Sequence, residues 1–382
     1  MGDSPASSNR VKLRDGRFLA YKERGVPKEK AKYKIILVHG FGSSKDMNFS
    51  ASKELIEELE VYLLFYDRSG YGASDSNTKR SLESEVEDIA ELADQLELGP
   101  KLSGVAFVAP VVNYRWPSLP KKLIKKDYRT GIIKWGLRIS KYAPGLLHWW
   151  IIQKLFASTS SVLESNPVYF NSHDIEVLKR KTGFPMLTKE KLRERNVFDT
   201  LRDDFMVCFG QWDFEPADLS ISTKSYIHIW HGKEDKVVPF QLQRCILQKQ
   251  PLINYHEIPQ GGHLIVHYDG ICDTILRALL LKEEQQKLLE PVQGSNRSAR
   301  TLAPETLLIP SSLSSHPATC AITAVASSTI PHRESFTISE NRAGIAPREI
   351  IVDRFIGYRA IAKSALSESL IDRGCESGYL MM

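Results

Sequence analysis

The sequence predicts an α/β protein built on a mostly parallel sheet, with a helical segment inserted after the first half of that sheet. Three observations carry this. Short, largely apolar runs of strand length recur at Tyr33–Val38, Val61–Tyr66, Gly104–Val112, Tyr226–Trp230 and Asn254–Ile258. Helical periodicity separates them, as βαβ units require. Between residues 113 and 225 the alternation stops and the chain becomes basic, aromatic and helical in pattern, with Trp116, Trp135, Trp149 and Trp150 included.

Taken in order, Val11 to Tyr21 reads as two short strands around Asp15-Gly16, a strong hairpin signal. Ala51 to Leu59 fits a short amphipathic helix. From Ser81 to Leu98, the spacing of Val86, Ile89, Leu92, Ala93 and Leu96 is helical. Ser81 is placed to cap it, and the acids Glu83 to Glu87 lie near the positive end of its dipole. After the insertion, a helix is expected around Gln241 to Gln250 and a last one from Ile271 to about Leu289, ending before Pro291. From Ser295 to Ser328, Ser, Thr, Ala and Pro dominate, the composition of a linker or unstructured tail. Helical spacing returns weakly between Arg348 and Leu370. The expected organisation is residues 8–112 for the first half of the core, 113–225 for a helical lid, 226–292 for the second half, and 293–382 for a Ser/Pro-rich tail without fixed structure.

The chain has 382 residues, 42% hydrophobic and 25% charged, which supports a sizeable core and excludes wholesale disorder. No apolar run approaches the roughly 18 residues of a membrane span. Met1 to Arg10 is polar, so no secretory leader is expected, and Ala6 stands where a myristoylation signal needs Ser or Thr. Cys208, Cys245, Cys272, Cys320 and Cys375 are scattered and odd in number, which suits free thiols in a reducing, cytoplasmic setting better than disulfides or a zinc site. No metal, cofactor or nucleic-acid partner is expected. The net charge of +5 is local: between Asn113 and Gly145 there are nine basic residues against the single acid Asp127. Two readings follow for 113–156. In the preferred one, Lys and Arg form a solvated face while the tryptophans and leucines cover the site. In the other, the basic residues together with Trp149, Trp150, Leu155 and Phe156 make peripheral contact with an anionic membrane.

Four motifs follow strands. His39-Gly40-Phe41-Gly42 offers a sharp turn whose backbone N–H groups suit an oxyanion. Asp67-Arg68-Ser69-Gly70-Tyr71-Gly72 follows the next strand, then Trp230-His-Gly-Lys-Glu-Asp235, and finally Gly261-Gly262-His263. Singly, each reads as a turn, with Asp235 a turn acid and His263 a capping or surface histidine. Together, an acid and a histidine on successive strand ends have the form of an orienting acid and a general base.

In this order the motifs resemble the α/β-hydrolase family, in the branch with a helical lid before the acid loop. The wording VKLRDGRFLAYKERG and the Trp-rich lid are similar to its plant members. The resemblance spans about residues 8 to 290. It implies an esterase-like serine hydrolase acting on a small or medium-sized ester, with Asp235 and His263 as triad members and an oxyanion hole from backbone N–H groups near Phe41 and Gly42, in the turn that begins His39-Gly40. Asp67, Ser69, Gly70 and Gly72 would then edge the site.

One part is missing. The family's nucleophile sits in a G-x-S-x-G elbow, and the sequence contains none. A strand, elbow and helix need about 25 to 30 residues, whereas only residues 100–103 lie between Gly99 and Gly104. The unit is absent as a whole, as a skipped exon would leave it. Ser69 and Ser74 lie in a site-edge loop, Ser103 precedes a strand, and Cys208 lies in the lid, so none is placed as a nucleophile. The sheet is therefore expected to be one central strand and one helix short, with the strand at 104–112 sliding into the vacant place and part of one sheet face uncovered. Three outcomes stay open: an impaired hydrolase, a non-catalytic module that binds a small apolar ligand or a protein, and a product that does not fold stably.

Overall fold

In a computed structural model describing residues 9–99, 104–151, 170–180, 189–221, 226–281 and 379–381, the opening hairpin forms where its turn predicts. β1 (Asn9–Lys12) and β2 (Phe18–Gly25) pair antiparallel, Val11 opposite Leu19. β3 (Tyr33–Val38), α1 (Lys53–Glu58), β4 (Val61–Tyr66) and α2 (Leu82–Gln95) follow. Ser81 caps α2 reciprocally. Its hydroxyl accepts the Ser84 N–H at 3.1 Å, and the Ser84 hydroxyl accepts the Ser81 N–H at 3.0 Å. β5 covers Gly104–Val108, shorter than the apolar run because Ala109 turns with φ 48°.

Helices then occupy the insertion: α3 (Lys121–Lys126), α4 (Arg129–Tyr142), α5 (Pro144–Ile151), α6 (Ser172–Arg180), α7 (Lys189–Arg193) and α8 (Arg195–Phe209). Alternation resumes with β6 (Tyr226–Gly232), α9 (Phe240–Leu247), β7 (Asn254–Ile258) and α10 (Ile271–Leu281). The stretch 282–289 of the last expected helix, Leu155, Phe156, Ser103, Cys320, Cys375, the spacing between Arg348 and Leu370, and the tail from 293 to 378 lie outside the described residues.

β8 (Tyr379–Met381) completes the sheet, whose order is β1-β2-β4-β3-β8-β5-β6-β7. β1, β2 and β4 pair antiparallel, and every other pairing is parallel. β8 lies between β3 and β5: Leu380 pairs with Leu37 on one side and Ala106 on the other, and Met381 with Val38 and Phe107. This changes one expectation. β5 does not slide against β3. A segment from beyond residue 293 occupies the central place.

Side chains alternate across the sheet, so the two faces build separate cores. Ile36, Val38, Leu64, Phe107 and Ile229 pack with Val86, Ile89 and Leu92 of α2 and with Leu242 and Ile246 of α9. Ile35, Leu37, Leu63, Phe65, Val108 and Trp230 pack with Leu55 of α1 and with Ile275, Leu276 and Leu279 of α10. Residues from the chain around the inserted helices also join the first core. Trp116 and Leu119, each 3% exposed, join the first core, and Trp212 packs edge-on against Trp116 at 5.2 Å.

The bridging strand can be tested directly. Leu380→Pro removes a backbone donor from a strand that pairs on both sides, and it is expected to cost about 2 kcal/mol or more in urea denaturation followed by circular dichroism. An unchanged midpoint would show that the sheet does not depend on β8.

Candidate functional site

Three turns meet the carboxyl edge of the parallel strands, where sites of open α/β sheets form. β6 ends at Gly232 and leads to Asp235, β7 ends at Ile258 and leads to His263, and β3 ends at Val38 and leads to His39-Gly40-Phe41-Gly42. The acid and histidine turns are zipped together, since the Lys233 N–H donates to the Ile258 carbonyl at 3.0 Å and the Glu234 N–H to that of Gly261 at 2.8 Å.

The predicted pair forms. His263 Nδ1 lies 3.0 Å from Asp235 Oδ2. The same oxygen lies 3.2 Å from Nε2 of buried His231, and Oδ1 accepts the Val237 and Val238 N–H groups, both at 2.8 Å. Burial disfavours the Asp235 charge, but the His263 charge and the hydrogen bonds from His231 and His263 outweigh it, holding the carboxyl well below its ordinary 3.8. An ionised Asp235 is an acceptor only, so Nδ1 of His263 points a proton at it. A groove of about 470 Å³ lined by Tyr128, Arg129, Lys233, Lys236 and Phe240 reaches the acid turn from outside. The Asp235 side chain is fully buried, so the groove meets its backbone and not its carboxylate.

What holds the histidine turn is Asp174, a residue the motifs did not single out. It lies in the first turn of α6. Its carboxylate accepts the His263 N–H at 2.8 Å, the Leu264 N–H at 2.9 Å and the Tyr268 hydroxyl at 2.9 Å. Gly262 makes this approach possible, for a Cβ there would fall 2.0 Å from Asp174 Oδ2. Asn171 caps α6 by accepting the Asp174 N–H at 2.8 Å, and its amide donates to Glu234 Oε2 and the Gln260 carbonyl, both at 3.0 Å. One helix start therefore clamps both turns. Asp174 has no local signature, because its contacts are made 89 and 90 residues away.

His39 is structural. Its Nε2 accepts the Arg68 N–H at 3.1 Å, so Nδ1 donates to the Gly40 carbonyl at 2.9 Å. Burial, and then the Arg68 charge, push its pKa well below 6.5 and keep the ring neutral. Phe41 packs beside Tyr71, Leu192, Val197 and Leu201, and Gly42 turns with φ 73°. Among the described residues, no hydrogen bond engages the Phe41 or Gly42 N–H.

The loop from Asp67 is a buried knot. Asp67 accepts the Lys45 N–H at 2.7 Å, the Lys45 ammonium at 2.8 Å and the Ala73 N–H at 3.0 Å. Gly72, with φ 51°, leaves room for it, since a Cβ would come within 2.2 Å of Asp67 Oδ2. The Ser69 hydroxyl is held at 2.5 Å from both Arg17 and Asp88, the Gly70 carbonyl accepts the Thr200 hydroxyl at 3.1 Å, and Ser74 donates to the Asp67 carbonyl at 2.6 Å. Arg68 grips Asp204 of α8 with two bonds of 3.0 and 2.5 Å, and Arg80, Glu85 and the Tyr71 hydroxyl close the cluster. Burial opposes ionisation of Asp204, but Arg68 and Arg80 outweigh it and hold the carboxyl below its usual range. These loop side chains are committed to structure.

The tryptophans of the insertion divide. Trp116 is in the core, whereas Trp135 and Trp149 are 63% and 57% exposed, so they do not cover the site as expected. Among the described residues no group of side chains is arranged to hold a metal, Cys208, Cys245 and Cys272 form no disulfide, and no helix is long and apolar enough to cross a membrane.

The strand order, with an acid and a histidine on the turns after β6 and β7, is that of an open, mostly parallel α/β sheet and resembles the arrangement the motifs imply. Among solved structures the chain is similar to a thermophilic esterase from Thermogutta terrifontis, at 19% identity and a TM-score of 0.43 over 70% of this chain and 97% of that one. It is also similar to an enol-lactonase from Burkholderia xenovorans LB400 (15% identity, TM-score 0.46, 72% and 100% covered) and a bromoperoxidase from Bacillus anthracis (17%, 0.46, 72% and 100%). No family model and no curated protein matches the chain.

Two measurements probe this geometry. Asp174→Ala removes the acceptor of two backbone N–H groups and a hydroxyl, and it is expected to destabilise the fold by about 3 kcal/mol and to speed amide exchange at His263 and Leu264. For Asp235, the folded carboxyl titrates below the unfolded one. Its stabilisation is complete above the unfolded value near 3.8 and is lost as pH falls through that value toward the lower folded one. Asp235→Asn is therefore expected to lower the denaturation midpoint at pH 7 and to flatten the decline below pH about 4. Parallel acid limbs in the two proteins would exclude this role.

Proposed function

We propose that this protein is an α/β-hydrolase-fold relative of ester-cleaving serine hydrolases that keeps the acid–base half of the site and lacks its nucleophile, so that it holds a small apolar ester or similar ligand without efficient turnover. In an intact enzyme of this kind, an elbow serine attacks the carbonyl carbon and His263 takes its proton. Asp235 orients His263, and the N–H groups of Phe41 and Gly42 receive the developing oxyanion. The observation that carries the reading is the content of the central place between β3 and β5. There the elbow strand is expected, and Tyr379-Leu380-Met381 brings neither a serine nor a cysteine. The nearby serines offer no substitute, because Ser69 and Ser74 are spent in buried hydrogen bonds. Losing a triad serine costs about a million-fold in turnover in a well-studied protease, more than an intact Asp235–His263 pair restores. The binding half of the function does not need the nucleophile.

The test combines p-nitrophenyl ester turnover, fluorophosphonate labelling and thermal melts with short-chain esters. The expected result is no label, no turnover above the His263→Ala variant, and a cooperative melt that rises with ligand. Labelling, or turnover abolished by His263→Ala, would establish a working nucleophile and overturn the proposal. A melt indifferent to every ester would remove the binding half.

A further inference from the structure

We propose that α3, α4 and α5 carry a docking face for a bilayer surface rich in anionic headgroups. α4 packs inward through a face that includes Thr130 and Ser140, both buried, and Gly136, where a Cβ would meet the Phe205 ring at 3.0 Å. Its opposite face is apolar and open. Ile132, Trp135 and Tyr142 are 60%, 63% and 76% exposed, and Leu146 and Trp149 of α5 continue at 61% and 57%. Tyr128 and Leu123, at the approach to α4 and in α3, are exposed too. The spacing of four and three residues in Tyr128-Ile132-Trp135 repeats in Tyr142-Leu146-Trp149. One stripe results, where soluble domains ordinarily expose large apolar side chains singly.

Charge selects the occupant. Lys121, Lys122, Lys125 and Lys126 on α3, and Lys134, Arg138 and Lys141 on α4, are exposed. Asp127, the acid of this segment, is already engaged by Arg129 at 2.8 Å and by the Tyr114 hydroxyl at 2.9 Å. Arg138 lies over the Trp135 ring at 5.5 Å and Lys141 over that of Tyr142 at 5.3 Å, so cations and aromatics interleave on the folded surface although they are separated along the chain. A protein interface is depleted in lysine, and a nucleic-acid surface offers no apolar layer for this stripe. Tryptophan and tyrosine at headgroup depth, with lysines reaching lipid phosphates, meet both chemistries at once.

The experiment is co-sedimentation of the full chain with vesicles of phosphatidylcholine alone or mixed with phosphatidylserine, at low and high salt. Binding to the mixed vesicles, a salt-sensitive affinity and a blue shift of tryptophan emission are expected. Trp135→Ala/Trp149→Ala and Lys122→Gln/Lys125→Gln/Lys134→Gln should each weaken binding at least about tenfold while leaving the melt unchanged, since these side chains are exposed. Equal binding to neutral vesicles, no binding, or variants that bind as the parent does would overturn the proposal. So would a concentration-dependent dimer that disappears in the double tryptophan variant, because the face would then belong to a second copy.

Discussion

Three residues of backbone pairing join the two halves of this sheet. β1, β2, β4 and β3 form one half, β5, β6 and β7 the other, and β8 is the strand that touches both. The turn bearing Phe41 and Gly42 hangs on β3, while Asp235 and His263 hang on β6 and β7. The Phe41–Gly42 turn and the Asp235–His263 pair are thus positioned relative to each other across β8. A strand with backbone partners on both sides leaves little freedom for either half to drift.

The inserted helices are tied to the sheet edge by buried polar groups as well as by apolar contact, Val177 packing with Leu264 and Leu201 with Tyr71. Asp174 and Asn171 fasten the start of α6 to the turns that carry His263 and Asp235, and Asp204 fastens α8 to the loop from Asp67 through Arg68, Arg80 and Tyr71. Ties of this kind are sensitive, since breaking a buried pair strands an uncompensated charge at about 3–5 kcal/mol. They also explain why Asp67, Ser69 and the motif around them belong to the framework. The Asp67 carboxylate and the Ser69 hydroxyl are both engaged there.

Much of the fold was legible because its signals are local. The Asp15-Gly16 turn, the Ser81 cap and the apolar runs of β3, β4 and β5 each depend on neighbours within a few residues. Asp235 and His263 were legible because each follows a strand on a short turn. The rest was set by distant partners. Asp174 acts on a turn 89 residues away. The outward Trp135 is indistinguishable by spacing from an inward one until Gly136 shows which face packs on Phe205. β8 is three residues of unremarkable sequence in a region whose composition reads as tail, and only the vacancy left between β3 and β5 gives it meaning.

That vacancy has a consequence for how the molecule comes into being. On a ribosome, β3 and β5 emerge early, and each must wait with one polar edge uncovered until residue 381 has been made. Central pairing is ordinarily settled by segments close in sequence, but here it closes last and over the longest loop in the sheet, the slowest kind of contact to form. Two open apolar-flanked strand edges held for that interval are a hazard for wrong pairing with other chains. The yield of folded protein in a cell should therefore respond to chaperone supply and growth temperature more steeply than its final stability alone would suggest.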